Sequence, residues 1–235
     1  MADMMNMTVT TLDLHTGYEV VGTVCGSSLS QSDPDQAFLG ALREIKKSAA
    51  LLEADAVIGV PESGMDAAAG YSHETGIPFV RGFYKNSYVG RTFIKPEQSM
   101  RLEAVGIKLN PIRGTVSGKK IILIDDSIVR GTTIAHIVGM LRKCGAKEVH
   151  VRISAPPFLY PCFFGTDVPT GDMLIAKANT IEQIARQIGA DSLGYLDIGS
   201  LSRMIGDEKH EYCDACFSGD YPKGSVDDKE EPKKQ

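Results

Sequence analysis

Hydrophobic and polar positions along this chain alternate between two kinds of period. Residues 56–60, 77–83, 121–124, 149–153 and 192–196 are short apolar runs of strand length, and 18–25 reads as an earlier strand. The run 121–124, Ile-Ile-Leu-Ile, has no polar alternation, as expected of a strand covered on both faces of a parallel sheet. Between the strands the period changes to three or four. Phe38, Leu42, Ile45, Ala49 and Leu52 predict an amphipathic helix that ends near Glu53, with Asp33 and Asp35 as candidate caps around Pro34. Further helices are predicted from Gly64 to about Thr75 and from 132 to about 144. The second puts Ile134, Ile137, Val138 and Leu141 on one face and ends at Gly145. Residues 181–188 and 198–205 complete the set. Residues 84–101 are polar, aromatic and basic without a period, so they predict a long loop, a length that usually carries function. Strands that alternate with helices indicate an α/β fold built on a doubly wound, mostly parallel sheet.

A chain of 235 residues with 43% hydrophobic content can bury one good core, which favours one main domain with appendages. A net charge of −5 gives no general attraction to nucleic acid or to an anionic membrane, so neither is expected as a partner. No apolar stretch approaches the ~20 residues that span a bilayer, and the first residues lack a secretory pattern. The expected location is therefore cytoplasmic, where the five cysteines stay reduced and serve as ligands, reactive groups or core residues. From Lys223 onward four acids and four lysines with almost nothing apolar predict a disordered tail over 223–235.

The chemistry gathers where strands end. The strand 121–124 runs into Asp125-Asp126-Ser127-Ile128-Val129-Arg130-Gly131-Thr132-Thr133. Ligands of parallel sheets sit beyond the carboxyl ends of the strands, which is where the two aspartates fall. Gly131, Thr132 and Thr133 offer backbone N–H groups and hydroxyls at a helix start, a natural phosphate site. Acids beside a phosphate cradle suit a sugar phosphate, with carboxylates for ribose hydroxyls or a metal. A second turn of this kind, Pro61-Glu62-Ser63-Gly64, follows the strand 56–60; alone it is more often an ordinary connection. Between the two lies Lys85-Asn86-Ser87-Tyr88-Val89-Gly90-Arg91-Thr92-Phe93-Ile94, whose cations, aromatics and glycine suit a lid over an anion.

Residues 121–133 resemble the phosphoribosyl pyrophosphate (PRPP) signature of type I phosphoribosyltransferases, and their wording is most similar to the amidophosphoribosyltransferase family. The resemblance covers roughly residues 54–222 and includes Ile107 to Arg113 and Ile188 to Leu193. It implies the type I phosphoribosyltransferase fold over that span. The implied reaction is displacement of pyrophosphate from PRPP by ammonia, giving 5-phosphoribosylamine at the first step of purine synthesis. By the same resemblance Glu62, Ser63 and Gly64 form a pyrophosphate loop, with Glu62 where the family commonly has Asp. Ser127, Ile128, Val129, Arg130, Gly131, Thr132 and Thr133 bind the sugar phosphate. Asp125, Asp126, Lys85, Tyr88 and Arg91 are the implied catalytic residues, and Mg²⁺ would meet Ser63, Asp125 and Asp126. A homo-oligomer is also implied.

Cys213-Asp214-Ala215-Cys216 is a C-x-x-C pair that by itself allows zinc, an iron–sulfur cluster, redox chemistry or chance. The resemblance implies a [4Fe–4S] cluster on Cys162, Cys213 and Cys216, with Cys25 as the candidate fourth ligand in a context that matches poorly; zinc or an incomplete site stays open. Cys144 reads as a packing residue. The five histidines form no cluster, and His73, His136 and His150 read as surface or helix-packing residues.

Residues 1–53 depart from the resemblance. Thr10-Thr11-Leu12, Gly17 to Gly22 and Ala54 to Val60 are similar to a small β-α-β family associated with heavy-metal binding. Two origins stand equal: a fused segment, or a divergent first βα unit. The family's amino-terminal glutaminase domain is not expected in this chain, so free ammonia or a separate glutaminase chain would supply nitrogen. The alternative to an enzyme is a protein that binds PRPP for sensing or regulation without turnover.

Overall fold

The computed structural model describes residues 46, 49, 52–85, 109–164, 170–204 and 212–222. The predicted strand at 18–25, most of the helix before Glu53, Cys25, Tyr88, Arg91 and the tail 223–235 lie outside the described residues.

Among the described residues, four strands form one parallel sheet in the order β1 (Ala56–Gly59), β4 (Lys120–Asp125), β5 (Glu148–Ile153) and β6 (Ser192–Tyr195). Residues 77–80 run beside β1 on the side away from β4: Val57 N donates to Pro78 O and Val80 N to Val57 O, both at 2.9 Å. The chain therefore leaves β1 to one side and later returns as β4 on the other, which makes the β1/β4 junction the topological switch point.

The expected strand over 77–83 is divided. Gly82 crosses Ile58 so closely that a Cβ there would lie 2.7 Å from Ile58 Cδ1. The chain then leaves the sheet, and β2 (Phe83–Lys85) pairs antiparallel with β3 (Leu109–Pro111).

Alternation along the strands sorts side chains onto two layers. Ala56, Ile58, Ile121, Leu123, Val149, Val151 and Ile153 face the larger core. That face is covered by α2 (Thr132–Lys143), whose Ile134, Ile137, Val138 and Leu141 are all buried, and by α3 (Ile181–Ile188). Val57, Ile122 and Ile124 face the opposite layer, under Ala67, Ala68 and Tyr71 of α1 (Met65–Thr75). Ala49, helical and 2% exposed, packs into this second layer with half-buried Leu52. The helix α4 (Ile198–Met204) follows β6.

Helix ends carry the signals expected of them. Thr180 and Gln183 form a capping box at the start of α3. Gly145 follows α2 with φ +99°, and Gly189 closes α3 with φ +75°.

His150 corrects the sequence reading. It is neither on the surface nor on a helix but buried on β5, opposite Ile122 of β4. Its Nδ1 lies 2.9 Å from Ser192 Oγ and its Nε2 3.1 Å from Glu148 Oε2. Burial lowers its pKa below the usual imidazole range, despite the Glu148 hydrogen bond. Arg152, two residues on and on the same face, shares Ser192 Oγ at 3.0 Å.

Candidate active site

The two turns read from sequence meet at the carboxyl rim of β1 and β4. Val60 N donates to Ile124 O at 2.8 Å, which carries the first turn across to the next strand. Small residues permit this. A Cβ on Gly64 would lie 2.2 Å from Ile124 O, and one on Gly59 would lie 2.6 Å from Gly64 O. The turn therefore rests on the end of β4, and Ser63 Oγ donates to Asp125 Oδ1 at 3.0 Å, across 62 residues of sequence. The peptide between Pro61 and Glu62 is cis.

Asp125 and Asp126 face different surroundings. Asp125 is only 6% exposed, and its Oδ1 also accepts the Asp126 amide at 3.0 Å. Burial and then the Asp126 carboxylate push its pKa from 3.8 up to about 7. Its carbonyl accepts from Ser154 N at 3.0 Å, which pins the end of β4 to the end of β5. Asp126 is exposed and accepts from Ser127 Oγ at 3.3 Å.

The loop from Ser127 to Gly131 leads into α2. Ile128 is 2% exposed and buried in the main core, so only its backbone faces the loop. Gly131 has φ +80° and caps α2 without a side-chain hydrogen bond. The amides of Arg130, Gly131, Thr132 and Thr133 donate to no acceptor among the described residues. Together with the positive end of the helix dipole they form an anion cradle.

Lys85, at the end of β2, reaches the first turn: its Nζ lies 2.8 Å from Glu62 Oε1. The candidate lid cation is thus beside the candidate pyrophosphate loop. Tyr88 and Arg91 are outside the described residues.

Sequence reasoning missed the segment that covers the candidate phosphate loop. Ile175 N donates to Val129 O at 2.9 Å, Arg130 Nη2 donates to Met173 Sδ at 2.8 Å, and a Cβ on Gly131 would meet Ile175 Cδ1 at 2.7 Å. No local signal marks residues 171–178 for this place, because the contact depends on how distant elements pack.

The four described cysteines fall in two places. Cys144 is half-buried against the main core, as expected of a packing residue. Cys213 and Cys216 flank the start of the single-turn helix Ala215–Ser218, and Leu159 N and Tyr160 N both donate to Cys216 O, at 3.0 and 3.1 Å. Cys162 is thereby brought near the pair. Burial, then Cys162, push the Cys216 thiol up to about 11, with a smaller contribution from Cys213. All three are free thiols, and no group of three or more Cys, His, Asp or Glu is set as a coordination shell among the described residues.

Residues 36–155 match the phosphoribosyl transferase domain model. The chain belongs to the phosphoribosyltransferase family. It is 51% identical over 175 residues to amidophosphoribosyltransferase from Bacillus subtilis, a match covering 73% of this chain and 37% of the relative. The corresponding enzyme name in Methanothermobacter thermautotrophicus marks a relative 52% identical over 169 residues, covering 72% of this chain and 36% of that one. Among solved structures, the glutamine PRPP amidotransferase of B. subtilis complexed with ADP and GMP superposes with a TM-score of 0.66 at 47% identity. That superposition covers 80% of this chain and 42% of that one. The chain thus spans little more than a third of the length of the curated relatives it matches. Among the described residues no helix is long and apolar enough to cross a membrane.

Proposed function

We propose that this chain carries the PRPP-binding and transfer site of an amidophosphoribosyltransferase, which displaces pyrophosphate from PRPP with ammonia to give 5-phosphoribosylamine. The observation that carries the reading is the Ser63–Asp125 hydrogen bond of 3.0 Å, which joins the two phosphate-type turns at one rim. The similarity to amidophosphoribosyltransferases over nearly three quarters of the chain supports the same reading.

On this reading the amides of residues 130–133 and the hydroxyls of Thr132 and Thr133 hold the 5′-phosphate. Asp125 and Asp126 accept from ribose hydroxyls and offset the positive charge that develops on the sugar. The turn Glu62-Ser63-Gly64 receives the pyrophosphate, and Lys85, with Tyr88 and Arg91 from the lid, neutralises it as it leaves. The bond from the anomeric carbon to the pyrophosphate oxygen breaks as the bond to nitrogen forms. Neutral ammonia brings its own electron pair, and the proton lost afterwards passes to solvent, so no general base is assigned.

The donor set suits Mg²⁺: a hydroxyl and two carboxylates, all hard oxygens, from Ser63, Asp125 and Asp126. Bound there, the ion supplies charge neutralisation for the pyrophosphate oxygens. Cys162, Cys213 and Cys216 are soft donors on neighbouring segments, the donor type a [4Fe–4S] cluster takes, although they are not set as a coordination shell among the described residues; they are the proposed ligands, with Cys25 as the fourth. An optical spectrum and iron and sulfide content of anaerobically purified protein test that assignment, and protein without iron or sulfide rejects it. Nitrogen would reach the site as free ammonia or from a glutaminase unit.

Pyrophosphate release from PRPP·Mg²⁺, measured with ammonium and with glutamine as donor, tests the function. Ammonium-dependent release is expected. PRPP binding without release under any donor would replace the enzyme with a sensor.

A further inference from the structure

A small apolar cluster joins the phosphate loop to the thiol-bearing turn. Its centre is Leu174 at 2% exposure and Phe158 at 7%, with Val129, Cys216 and Phe217 packed around them. Val129 belongs to the phosphate loop, Leu174 to the segment covering that loop, and Cys216 and Phe217 to the Ala215–Ser218 helix. Polar contacts tie each step. Ile175 N holds Val129 O at 2.9 Å, and Cys216 O receives both Leu159 N and Tyr160 N. The Phe158 and Phe217 rings stand 5.0 Å apart at 57°, a favourable tilted pair. Beyond the helix, Gly219 has φ +83° and lies so close to Tyr160 that a Cβ would sit 2.8 Å from the ring. The 171–178 segment is therefore held from below by residues far from it in sequence, while its upper surface rests on Val129, Arg130 and Gly131.

We propose that residues 171–178 act as a clamp on the phosphate loop, seated by the thiol-bearing turn, so that Leu174 and Phe217 are positioning residues for sugar-phosphate binding. Neither touches substrate. Their effect passes through Val129 and Ile175 to the amides of residues 130–133, whose spacing must match phosphate oxygens to within tenths of an ångström. A chain of packed side chains carries such an effect, and its energy is the same in both directions: whatever seats the clamp tightens phosphate binding, and phosphate binding tightens the seat. The inference rests on the PRPP-binding reading of the same loop.

The experiment uses the full chain with PRPP·Mg²⁺ as probe. Calorimetry is run on the parent protein, Phe217→Ala, Leu174→Ala and Phe217→Leu, with circular dichroism and Tm to follow folding. Phe217→Ala and Leu174→Ala are expected to raise Kd about tenfold, while Phe217→Leu, which keeps apolar bulk, stays within about threefold. In the parent protein PRPP·Mg²⁺ is also expected to slow hydrogen exchange at the Leu159 and Tyr160 amides, which report the seat directly and require no variant. Unchanged exchange there while PRPP binds, or unchanged Kd in both alanine variants, would overturn the clamp. Parent protein that fails to bind PRPP would instead sink the functional reading on which the clamp stands.

Discussion

Asp125 carries its charge at a cost that its position imposes. Burial beside the Asp126 carboxylate raises its pKa in the folded chain to about 7, above the 3.8 of an exposed carboxyl. The folded state therefore holds this proton longer than the unfolded state. Its contribution to stability is full below pH about 4 and is lost as pH rises towards 7. Asp125→Asn is thus expected to melt higher than the parent at pH 8, with the difference vanishing near pH 4, while losing most of its affinity for PRPP·Mg²⁺. Thermal melts across that range check it; parallel curves would mean that Asp125 ionises freely. Lys85 and Glu62 differ from this case, because Glu62 is 80% exposed in side chain and their ion pair is a surface one. Glu62→Gln should shift stability by less than about 1 kcal/mol. Lys85→Ala should instead lower kcat on the order of 100-fold, if the ammonium on the pyrophosphate side of the site stabilises the leaving group. Steady-state kinetics with ammonium separate the two.

Elements place these residues through close approaches that only glycine allows. Gly64 lies against Ile124 O, with backbone on both sides of the contact, so Gly64→Ala forces the turn off the strand end. A loss of about 1–3 kcal/mol is expected, together with weaker PRPP binding as Ser63 separates from Asp125. Gly131→Ala has a different cause. Its φ of +80° costs an L-residue about 1–2 kcal/mol, and the added methyl crowds the flexible end of Ile175 at 2.7 Å while meeting Ile188 at an ordinary 3.6 Å. Denaturant titrations should place Gly131→Ala in that smaller range, with a Kd increase that reflects a displaced phosphate loop. The helices were legible at this scale because their apolar period is local. Ile134, Ile137, Val138 and Leu141 sit on the buried face of α2 as their spacing demands. The break in the strand over 77–83 was not legible, since it arises from Gly82 crossing Ile58 on another strand.

At the scale of the whole molecule, the candidate site joins turns from β1 and β4 to a loop covered by residues 171–178. Ligand binding should therefore stabilise the entire fold. At 100 times Kd the gain is about 2.7 kcal/mol, which raises Tm by roughly 5–10 °C for a domain of this size. Scanning calorimetry with PRPP and Mg²⁺ should show this shift, and EDTA should abolish most of it. A Tm indifferent to PRPP would remove the ligand from the proposal. The network of buried His150 and Arg152 with half-buried Ser192, on the α1 side of the sheet, is a separate matter. His150 and Arg152 share Ser192 Oγ across β5 and β6, with Glu148 and the Val151 carbonyl completing their contacts.

What the sequence by itself determined is what neighbouring residues can enforce. The parallel-sheet class, the glycine–threonine helix start after Asp126 that makes it a candidate anion site, the phase of α2 and the soft-donor character of the C-x-x-C turn all follow from residue type and short-range spacing. The tertiary structure alone decided distances between residues remote along the chain. Ser63 meets Asp125, Lys85 meets Glu62, and Ile175 covers Gly131 only because strand order and layer packing bring them together. The identity of His150 likewise did not reveal its burial, which comes from the register of β5 against β4. Local pattern fixes which way a side chain points from its own element, whereas long-range packing fixes what it finds there.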